Sequence, residues 1–282
     1  MKINFFDRKA IQQKAPVKDC PANWGRNWTG YFYPLCVRSV VHSERAQKTH
    51  AVSSTVDCFD ESCFEDFCTL SILQEIKKPD INFFELGAGW GSQSLDIAGI
   101  IDNKLLDIVP QKILCYAIEA EPTHFQWLQN TFNYNRIAGY TFFGAMTEIP
   151  GWVNFITDVN PADSYGQSIK DSGQTKIPSY SLDYLMDILK VDHADIVHMD
   201  VQGEEYKVLL GSKKHIEAGM IDYLIVCTHK TELEKEICDF LGGFYDLVIG
   251  CGCFTGMNNV GLSKPANIPQ DGLFLFQRKN LR

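Results

Sequence analysis

The sequence predicts an α/β protein built on a mostly parallel sheet with helices on both faces. From residue 81 onward, short apolar runs alternate with segments of helical periodicity, which is typical of strands joined by crossover helices. The first apolar run, Ile81–Leu86, leads directly into a glycine-rich turn and then a helix. In open sheets of this kind a ligand binds beyond the carboxyl ends of the strands.

The composition narrows the possible partners. The chain has 282 residues, of which 45% are hydrophobic and 22% charged, so it can bury a core of ordinary size. Its net charge of -9 disfavours DNA or RNA as the main partner, because an acidic surface repels phosphate backbones. No apolar run is long enough to span a bilayer, and the first residues lack the apolar stretch of a signal peptide. We therefore expect no membrane partner and a cytoplasmic location.

Seven strands are predicted from short apolar runs that end at turn-forming residues. In chain order they are Ile81–Leu86, Ile113–Ile118, Tyr140–Ala145, Ile196–Asp200, Tyr223–Cys227, Phe244–Ile249 and Leu273–Gln277. The segment 152–178 is polar and turn-rich, and we interpret it as a short hairpin or a loop. The long loop between the last two strands is expected to have a function, since loops of that length usually do.

Six helices are predicted from apolar residues at helical spacing. They are Phe64–Lys77, Gly91–Ile101, Thr123–Tyr134, Ser181–Leu189, Glu204–Gly211 and Thr231–Leu241. Pro79 stops the first helix, Ser181 suits the start of the fourth, and Gly211 ends the fifth. Residues 1–60 have weak periodicity and many aromatic residues between Trp24 and Tyr33, which we expect to be core residues.

The strongest local signal is the turn after the first strand. Gly87, Gly89 and Gly91 let the backbone approach a ligand closely, and Glu85 lies two residues before the first of them. The dinucleotide fingerprint G-x-G-x-x-G would require a glycine where Ser92 stands, which argues against a nicotinamide cofactor. The pattern E-x-G-x-G-x-G is instead the form found in methyltransferases. A tight turn without a ligand is the alternative interpretation.

An acid follows the second strand. Glu119 at this position can accept hydrogen bonds from both hydroxyls of a ribose. Glu121 is the rival, because alternate residues of an extended chain point the same way. We favour Glu119 because it lies closer to the end of the strand.

Several ordered motifs resemble the FkbM-type methyltransferases, a class I group that depends on S-adenosylmethionine (SAM). The resemblance covers roughly residues 80–278. The matching segments are Phe84–Gly89 (FELGAG), Glu119–Phe125 (EAEPTHF), Gly144–Met146 (GAM), Gly151–Phe155 (GWVNF), Ser181–Leu185 (SLDYL) and Met199–Glu205 (MDVQGEE).

The resemblance implies a Rossmann-like sheet, mostly parallel with an antiparallel last strand, that binds SAM. We expect residues 78–282 to form this SAM-binding domain and residues 1–77 to form an N-terminal helical cap on the substrate side. The residues expected to bind the donor are Glu85, Gly87, Gly89, Glu119, Ala120, Ala145 and Asp200.

Three residues are candidates for the chemistry: Asp200, His198 and His229. Methyl transfer to a hydroxyl needs a base that takes the proton. The resemblance implies that the fourth and fifth strands are neighbours, so that Asp200 and His229 would lie at adjacent strand ends, and His198 shares a strand face with Asp200. Asp200 could instead only orient the donor, and His198 could be a core histidine. Families of this type often carry lysine and glutamate where this chain has His198 and Gln202.

No metal site is expected. The ten cysteines are expected to be reduced thiols, and the five-residue spacing of Cys58, Cys63 and Cys68 matches no common zinc site. His198, Asp200 and His229 could converge on a metal ion, but strand pairing alone would also bring them together.

The acceptor is expected to be a small molecule with a hydroxyl, such as a sugar or a natural-product intermediate. The N-terminal segment and the loop 250–271 could fold over the strand ends and enclose such a ligand. The alternative is a SAM- or nucleoside-binding module without catalysis, which the changes at His198 and Gln202 would favour. A dehydrogenase is a weaker rival because of Ser92.

Overall fold

A seven-stranded sheet forms the centre of the protein. The computed structural model describes residues 14–15, 24–26, 31–34, 61–157, 167–251 and 272–281. The strands of the large sheet, in chain order, are β3 (Asp80–Leu86), β4 (Lys112–Glu119), β5 (Gly139–Phe143), β9 (Ala194–Met199), β10 (Ile221–Thr228), β11 (Tyr245–Cys251) and β12 (Gly272–Arg278).

Their spatial order is β11-β12-β10-β9-β3-β4-β5. All neighbours from β10 to β5 run parallel, whereas β12 lies antiparallel between β10 and β11. The order reverses at β3, so that β4 extends the sheet to one side and β9 to the other. This arrangement confirms the predicted Rossmann-like sheet and its antiparallel last strand.

Two smaller strand groups accompany the large sheet. The strands β6 (Ala145–Met146), β7 (Gly151–Phe155) and β8 (Thr175–Tyr180) form a three-stranded sheet. In the N-terminal segment, β1 (Trp24–Arg26) pairs antiparallel with β2 (Phe32–Pro34). The small sheet confirms that residues 152–178 contain a hairpin, whereas the pair β1–β2 has no counterpart among the predicted elements.

Helices cover both faces of the large sheet. They are α1 (Glu61–Glu75), α2 (Ser92–Asp102), α3 (Pro122–Asn135), α4 (Leu182–Leu189), α5 (Glu205–Leu210), α6 (Lys213–Glu217) and α7 (Thr231–Leu241). The helices α1, α2 and α3 pack on one face, and α4 to α7 pack on the other. The short helix α6 was not predicted, because five residues give too little periodicity. Within the described segments, no helix is long and apolar enough to cross a membrane.

The N-terminal residues that the structure describes share the core of the first face. Tyr31 and Ala15 are buried in the same cluster as α1 and α2. The hydroxyl of Tyr31 donates a hydrogen bond to Asp102 at the end of α2. Tyr31 is thus a core residue, as predicted for the aromatic segment. Trp28 and the loop 252–271 lie outside the described residues, so their predicted roles stay predictions.

The turn after β3 comes into direct contact with the end of β9. Gly87 has a φ of 80°, a left-handed conformation that favours glycine. A Cβ atom at this position would overlap the carbonyl oxygen of Asp200. The N–H of Asp200 in turn donates to the carbonyl of Leu86 at 2.9 Å. Position 87 therefore requires glycine both for its backbone angle and for the space beside Asp200.

Replacing Gly87 by alanine should destabilise the fold. A left-handed non-glycine residue costs about 1–2 kcal/mol, and the overlap with Asp200 adds to that cost. Gly243→Ala is the matched control, because nothing lies within 4 Å of a Cβ atom there. We expect urea unfolding to show a loss of at least about 1–2 kcal/mol for Gly87→Ala and little change for Gly243→Ala. Equal effects of the two substitutions would contradict this account of the turn.

Candidate functional site

A cleft opens at the carboxyl ends of β3, β4 and β9, beside the point where the strand order reverses. Its empty space, including the part that opens to solvent, is about 590 Å³. Six of the seven residues predicted to bind the donor line the cleft: Gly87, Gly89, Glu119, Ala120, Ala145 and Asp200.

Glu85, the seventh, lies outside the lining. Its carboxylate accepts hydrogen bonds from the N–H groups of Gln93 and Ser94, both at 3.0 Å, and from the hydroxyl of Ser94. These groups belong to the first turn of α2, where the helix dipole favours a negative charge. Burial raises the pKa of Glu85, against the opposing effect of His198. Through these hydrogen bonds Glu85 connects β3 to the first turn of α2 and so stabilises the glycine turn between them.

Glu119 presents its carboxylate to the cleft. One oxygen accepts from the N–H of Gly89 and the other from the N–H of Glu121, each at 2.7 Å. Burial raises the pKa of Glu119 to about 7, although the backbone N–H groups around it lower it. The side chain can therefore change its charge near neutral pH.

The rival acid has a different role. Glu121 is buried, lies outside the lining, and caps α3 by accepting a hydrogen bond from the N–H of His124 at 2.7 Å. The geometry favours Glu119 over Glu121 as the acid that would meet a ribose. His124 on α3 is 2% exposed and also lines the cleft.

The small sheet supplies the opposite wall of the cleft. Ala145 on β6 and Phe155 on β7 are both buried there, and Gln167 and Ile169 reach the cleft from the segment before β8. Sequence reasoning missed Phe155, Gln167 and Ile169. They lie in a polar, turn-rich stretch whose periodicity gives no sign of which side chains face inward.

A chain of three ionisable groups ends at the cleft. His229 Nδ1 lies 2.7 Å from Glu205 Oε1, and His229 Nε2 lies 3.3 Å from Asp200 Oδ1. The exposed fractions of these side chains rise along the chain, from 0% for Glu205 through 12% for His229 to 37% for Asp200. Asp200 is thus the end of the chain that a ligand in the cleft would meet.

The surroundings of Asp200 adjust its acidity. Although its side chain is 37% exposed, loss of water around the carboxylate raises its pKa to about 6; the neighbouring carboxylates of Glu65 and Glu205 also raise it, whereas His229 and His198 lower it. Gln202, which replaces the glutamate common in the family, donates a hydrogen bond to Asp200 Oδ1 at 3.0 Å. A carboxylate with such a pKa is ionised at neutral pH and is basic enough to accept a proton.

Glu205 is a site residue that sequence reasoning missed. The sequence pattern places it in the segment Met199–Glu205 and in a predicted helix, but assigns it no role of its own. The signal was present in principle, because a second acid two residues beyond Gly203 can reach back toward the end of β9. Gly203 N–H donates to Glu205 Oε1 at 2.9 Å, which fixes the carboxylate beneath His229.

The structure separates the three predicted catalytic residues. Asp200 and His229 come together, but His198 lies outside the cleft lining and is 4% exposed. Its Nε2 atom lies 3.4 Å from Glu65 Oε2 on α1. Burial lowers the pKa of His198, but the carboxylates of Glu65, Glu85 and Asp200 raise it by more, so that it is raised overall. Of the two interpretations of His198, the geometry favours the core residue.

Comparison with known proteins identifies the family. The methyltransferase FkbM domain matches residues 104–247, which is half of the chain. A search of curated proteins finds no match to the chain.

Several solved structures resemble the fold at low sequence identity. A precorrin-6y C5,15-methyltransferase from Geobacter metallireducens has 10% identity and a TM-score of 0.44, with 80% of this chain and 92% of that chain covered. An rRNA methylase from Streptococcus thermophilus has 10% identity and a TM-score of 0.45, with 76% and 95% covered. An Aeropyrum pernix fibrillarin bound to SAM has 12% identity and a TM-score of 0.38, with 74% of each chain covered. TM-scores below 0.5 support no conclusion about this chain's substrate.

The family match and the fold agree. The matched residues run from the end of α2 to β11 and include Glu119, Asp200, Glu205 and His229. The strand order and the antiparallel β12 are those expected for the family from the sequence. The chain belongs to the FkbM methyltransferase family, and its methyl donor is S-adenosylmethionine.

Proposed function

We propose that this methyltransferase transfers the methyl group of SAM to a hydroxyl group of a small molecule. The observation that carries the proposal is the Glu205–His229–Asp200 chain, which is buried at one end and open to the cleft at the other. A hydroxyl is a weak nucleophile until its proton leaves, so an enzyme that methylates oxygen benefits from such a proton acceptor.

The cleft has the groups that SAM requires. The glycine turn at Gly87 and Gly89 leaves the backbone open to close approach, and Glu119 offers a carboxylate to two ribose hydroxyls. The carboxylate of Asp200, and that of Glu119 when it is ionised, give the lining a negative field that suits a sulfonium cation, whereas the charge of Glu204 is paired with Lys207. We place the adenosyl part beside Glu119 and the sulfonium toward Asp200.

The Asp200–His229 pair would take the proton of the acceptor. SAM supplies an electrophilic methyl group; the acceptor oxygen bonds to its carbon as the carbon–sulfur bond breaks, leaving S-adenosylhomocysteine. Asp200 accepts the hydroxyl proton directly or shares it with His229 Nε2, 3.3 Å away. Glu205 holds His229 through Nδ1, which keeps Nε2 facing Asp200 and stabilises an imidazolium.

The charges of the cleft favour a small neutral acceptor over a nucleic acid. Its described lining contains three carboxylates and neither lysine nor arginine. The whole chain has a net charge of -9, so it also lacks the general positive field that attracts phosphate backbones. An apolar or ring-shaped acceptor could pack on Phe155 and Ile169 in the same cleft.

Methyl label should appear chiefly in small molecules. We would incubate the enzyme with SAM labelled in its methyl group and with total RNA, total protein or a metabolite extract, each in a separate reaction. The proposal predicts label in the metabolite fraction, bound through an ether-type methyl that resists mild base. Label found mainly in RNA or protein would refute the small-molecule acceptor. No transfer to any pool, with SAM bound, would favour the non-catalytic alternative.

Glu119→Ala should weaken SAM binding at least tenfold, which corresponds to about 1.4 kcal/mol. The reason is the loss of the carboxylate that we assign to the ribose. Glu121→Ala, which removes the neighbouring acid that caps α3, is the control and should change affinity much less. Calorimetry would measure the SAM affinity of both variants. An unchanged affinity of Glu119→Ala would contradict the proposal that Glu119 binds the ribose.

The affinity for SAM should also rise as the pH increases through 7. The pKa of Glu119 is raised to about 7, and only its ionised form accepts hydrogen bonds through both oxygens. The sign for stability is opposite: an acid whose pKa is raised by folding makes the protein lose stability as the pH rises from about 4.5 toward 7. Calorimetry from pH 5.5 to 7.5 on wild type and Glu119→Gln would separate this group from the histidines. If the affinity of Glu119→Gln for SAM depends on pH as steeply as that of the wild type, a group other than Glu119 causes the dependence.

Asp200→Asn should lose most of the turnover while SAM affinity changes by no more than a few fold. Groups that accept or position a proton typically contribute about 10²- to 10⁴-fold to the rate. Asp246→Asn makes the same charge change at an exposed position on β11 and serves as the control. Single-turnover rates with labelled SAM would measure the effect, and a fully active Asp200→Asn would exclude an essential role for this charge.

A further inference from the structure

A second cluster of ionisable groups lies beneath the cleft, between α1 and the sheet. It consists of Glu65 on α1, His198 on β9 and Cys227 on β10. Each residue offers one donor atom, and the three atoms lie within 4.8 Å of one another. Cys227 Sγ lies 3.1 Å from Glu65 Oε1, and His198 Nε2 lies 3.4 Å from Glu65 Oε2. Three elements distant in sequence thus bring sulfur, nitrogen and oxygen donors to one point.

Within the described part of the chain, the histidine of this cluster lacks hydrogen bonds. His198 is 4% exposed, and neither of its ring nitrogens has a hydrogen-bond partner among the described residues. The 3.4 Å approach to Glu65 is close enough for an ion pair but does not have hydrogen-bond geometry. A buried ring nitrogen that makes no hydrogen bond is destabilising, so a further partner at Nε2 would be favourable. A cation bound at Nε2 would supply the missing partner.

The charge balance around the cluster also calls for a cation. Besides Glu65, three further carboxylates lie around the cluster: those of Glu85 and Asp200 interact with His198, and that of Glu205 interacts with Asp200. Among the ion pairs of the described chain, none joins a lysine or an arginine to any of these four acids. Buried carboxylates are normally paired or coordinate a metal. A divalent ion would place two positive charges beside acids that no lysine or arginine of the described residues pairs with.

We propose that Glu65, His198 and Cys227 bind a divalent transition-metal ion, for which zinc is the best match. Thiolate and imidazole donors select zinc over magnesium or calcium, which prefer oxygen ligands. Zinc bonds of about 2.0–2.3 Å at tetrahedral angles set ligand atoms roughly 3.3–3.6 Å apart; here Glu65 Oε2 lies 3.4 Å from His198 Nε2, and Glu65 Oε1 lies 3.1 Å from Cys227 Sγ. On binding, the Cys227 thiol releases its proton to solvent and coordinates as the thiolate.

A neighbouring side chain already orients the cluster. Gln93 Nε2 donates a hydrogen bond to Glu65 Oε2 at 2.9 Å, the kind of outer contact that holds a ligating carboxylate in place. The metal would tie α1 to β9 and β10, directly below Asp200 and His229. This site differs from the one considered from the sequence, because His198 joins Glu65 and Cys227 and leaves Asp200 and His229 to each other.

The test is metal content and cobalt spectroscopy of the full chain, purified without a metal-binding tag or chelator. After exposure to zinc and desalting, elemental analysis should find about one zinc ion per chain, and the cobalt form should show a thiolate-to-cobalt absorption band. Cys227→Ser should abolish that band and weaken zinc binding at least tenfold. Cys238→Ser on α7 is the matched control and should retain both.

Glu65→Gln is a second variant for the case that Cys227→Ser does not fold. Glu65 lies on α1 and its side chain is partly exposed, so we expect this variant to fold. It should also weaken zinc binding at least tenfold. Wild-type protein that retains no zinc would overturn the proposal. So would zinc retained equally by Cys227→Ser and Glu65→Gln, or lost equally from Cys238→Ser. None of these readouts depends on methyl transfer.

Discussion

The contact between the turn after β3 and the end of β9 is the constraint on which the site depends. Because Gly87 has no side chain, the turn can lie against the carbonyl of Asp200, and the Asp200 N–H can bond to Leu86. The same turn is tied to β4 by hydrogen bonds from Gly87 and Ala88 to the carbonyl of Ile118. Three strand ends are thereby held around one cleft, with Glu119 on one side and Asp200 on the other.

Four buried acids surround this contact, and each accepts hydrogen bonds from, or pairs with, a different group. Glu85 and Glu121 bond to backbone N–H groups at the starts of α2 and α3, so their charges serve the helices. Glu119 bonds to the turn but still faces the cleft. Glu205 bonds to His229 and so acts on the chemistry through a histidine. Which acid caps a helix and which one meets a ligand depends on position relative to the strand ends.

Much of the fold could be predicted from the sequence, because strands and helices leave local signals. The predicted runs for β3, β4 and α7 agree with the structure to within about two residues, the usual uncertainty of element ends. The third strand was predicted as one run to Ala145, but the backbone breaks at Gly144, and β6 pairs with β8 instead. Pairings between short strands depend on contacts distant in sequence, which local patterns do not reveal.

The candidate site could likewise be predicted only in part: residues at strand ends were found, whereas residues on helices were missed. Residues that follow strands, such as Glu119 and Asp200, were found because parallel strands end at one edge of the sheet. Glu65 and Glu205 were missed, since they lie on helices, and only the packing of those helices brings them to His198 and His229. His198 alternates with Asp200 along one strand, but Asp200 follows the last residue of β9 and turns to the cleft while His198 stays in the core.

The most direct test of this account is a crystal structure of the protein with S-adenosylhomocysteine bound. The account predicts that the ribose hydroxyls lie within hydrogen-bond distance of Glu119 and that the sulfur faces Asp200, with His229 still between Asp200 and Glu205. A ligand that binds away from Gly87 and Gly89, or whose sulfur lies far from Asp200, would contradict the placement of donor and proton acceptor in one cleft.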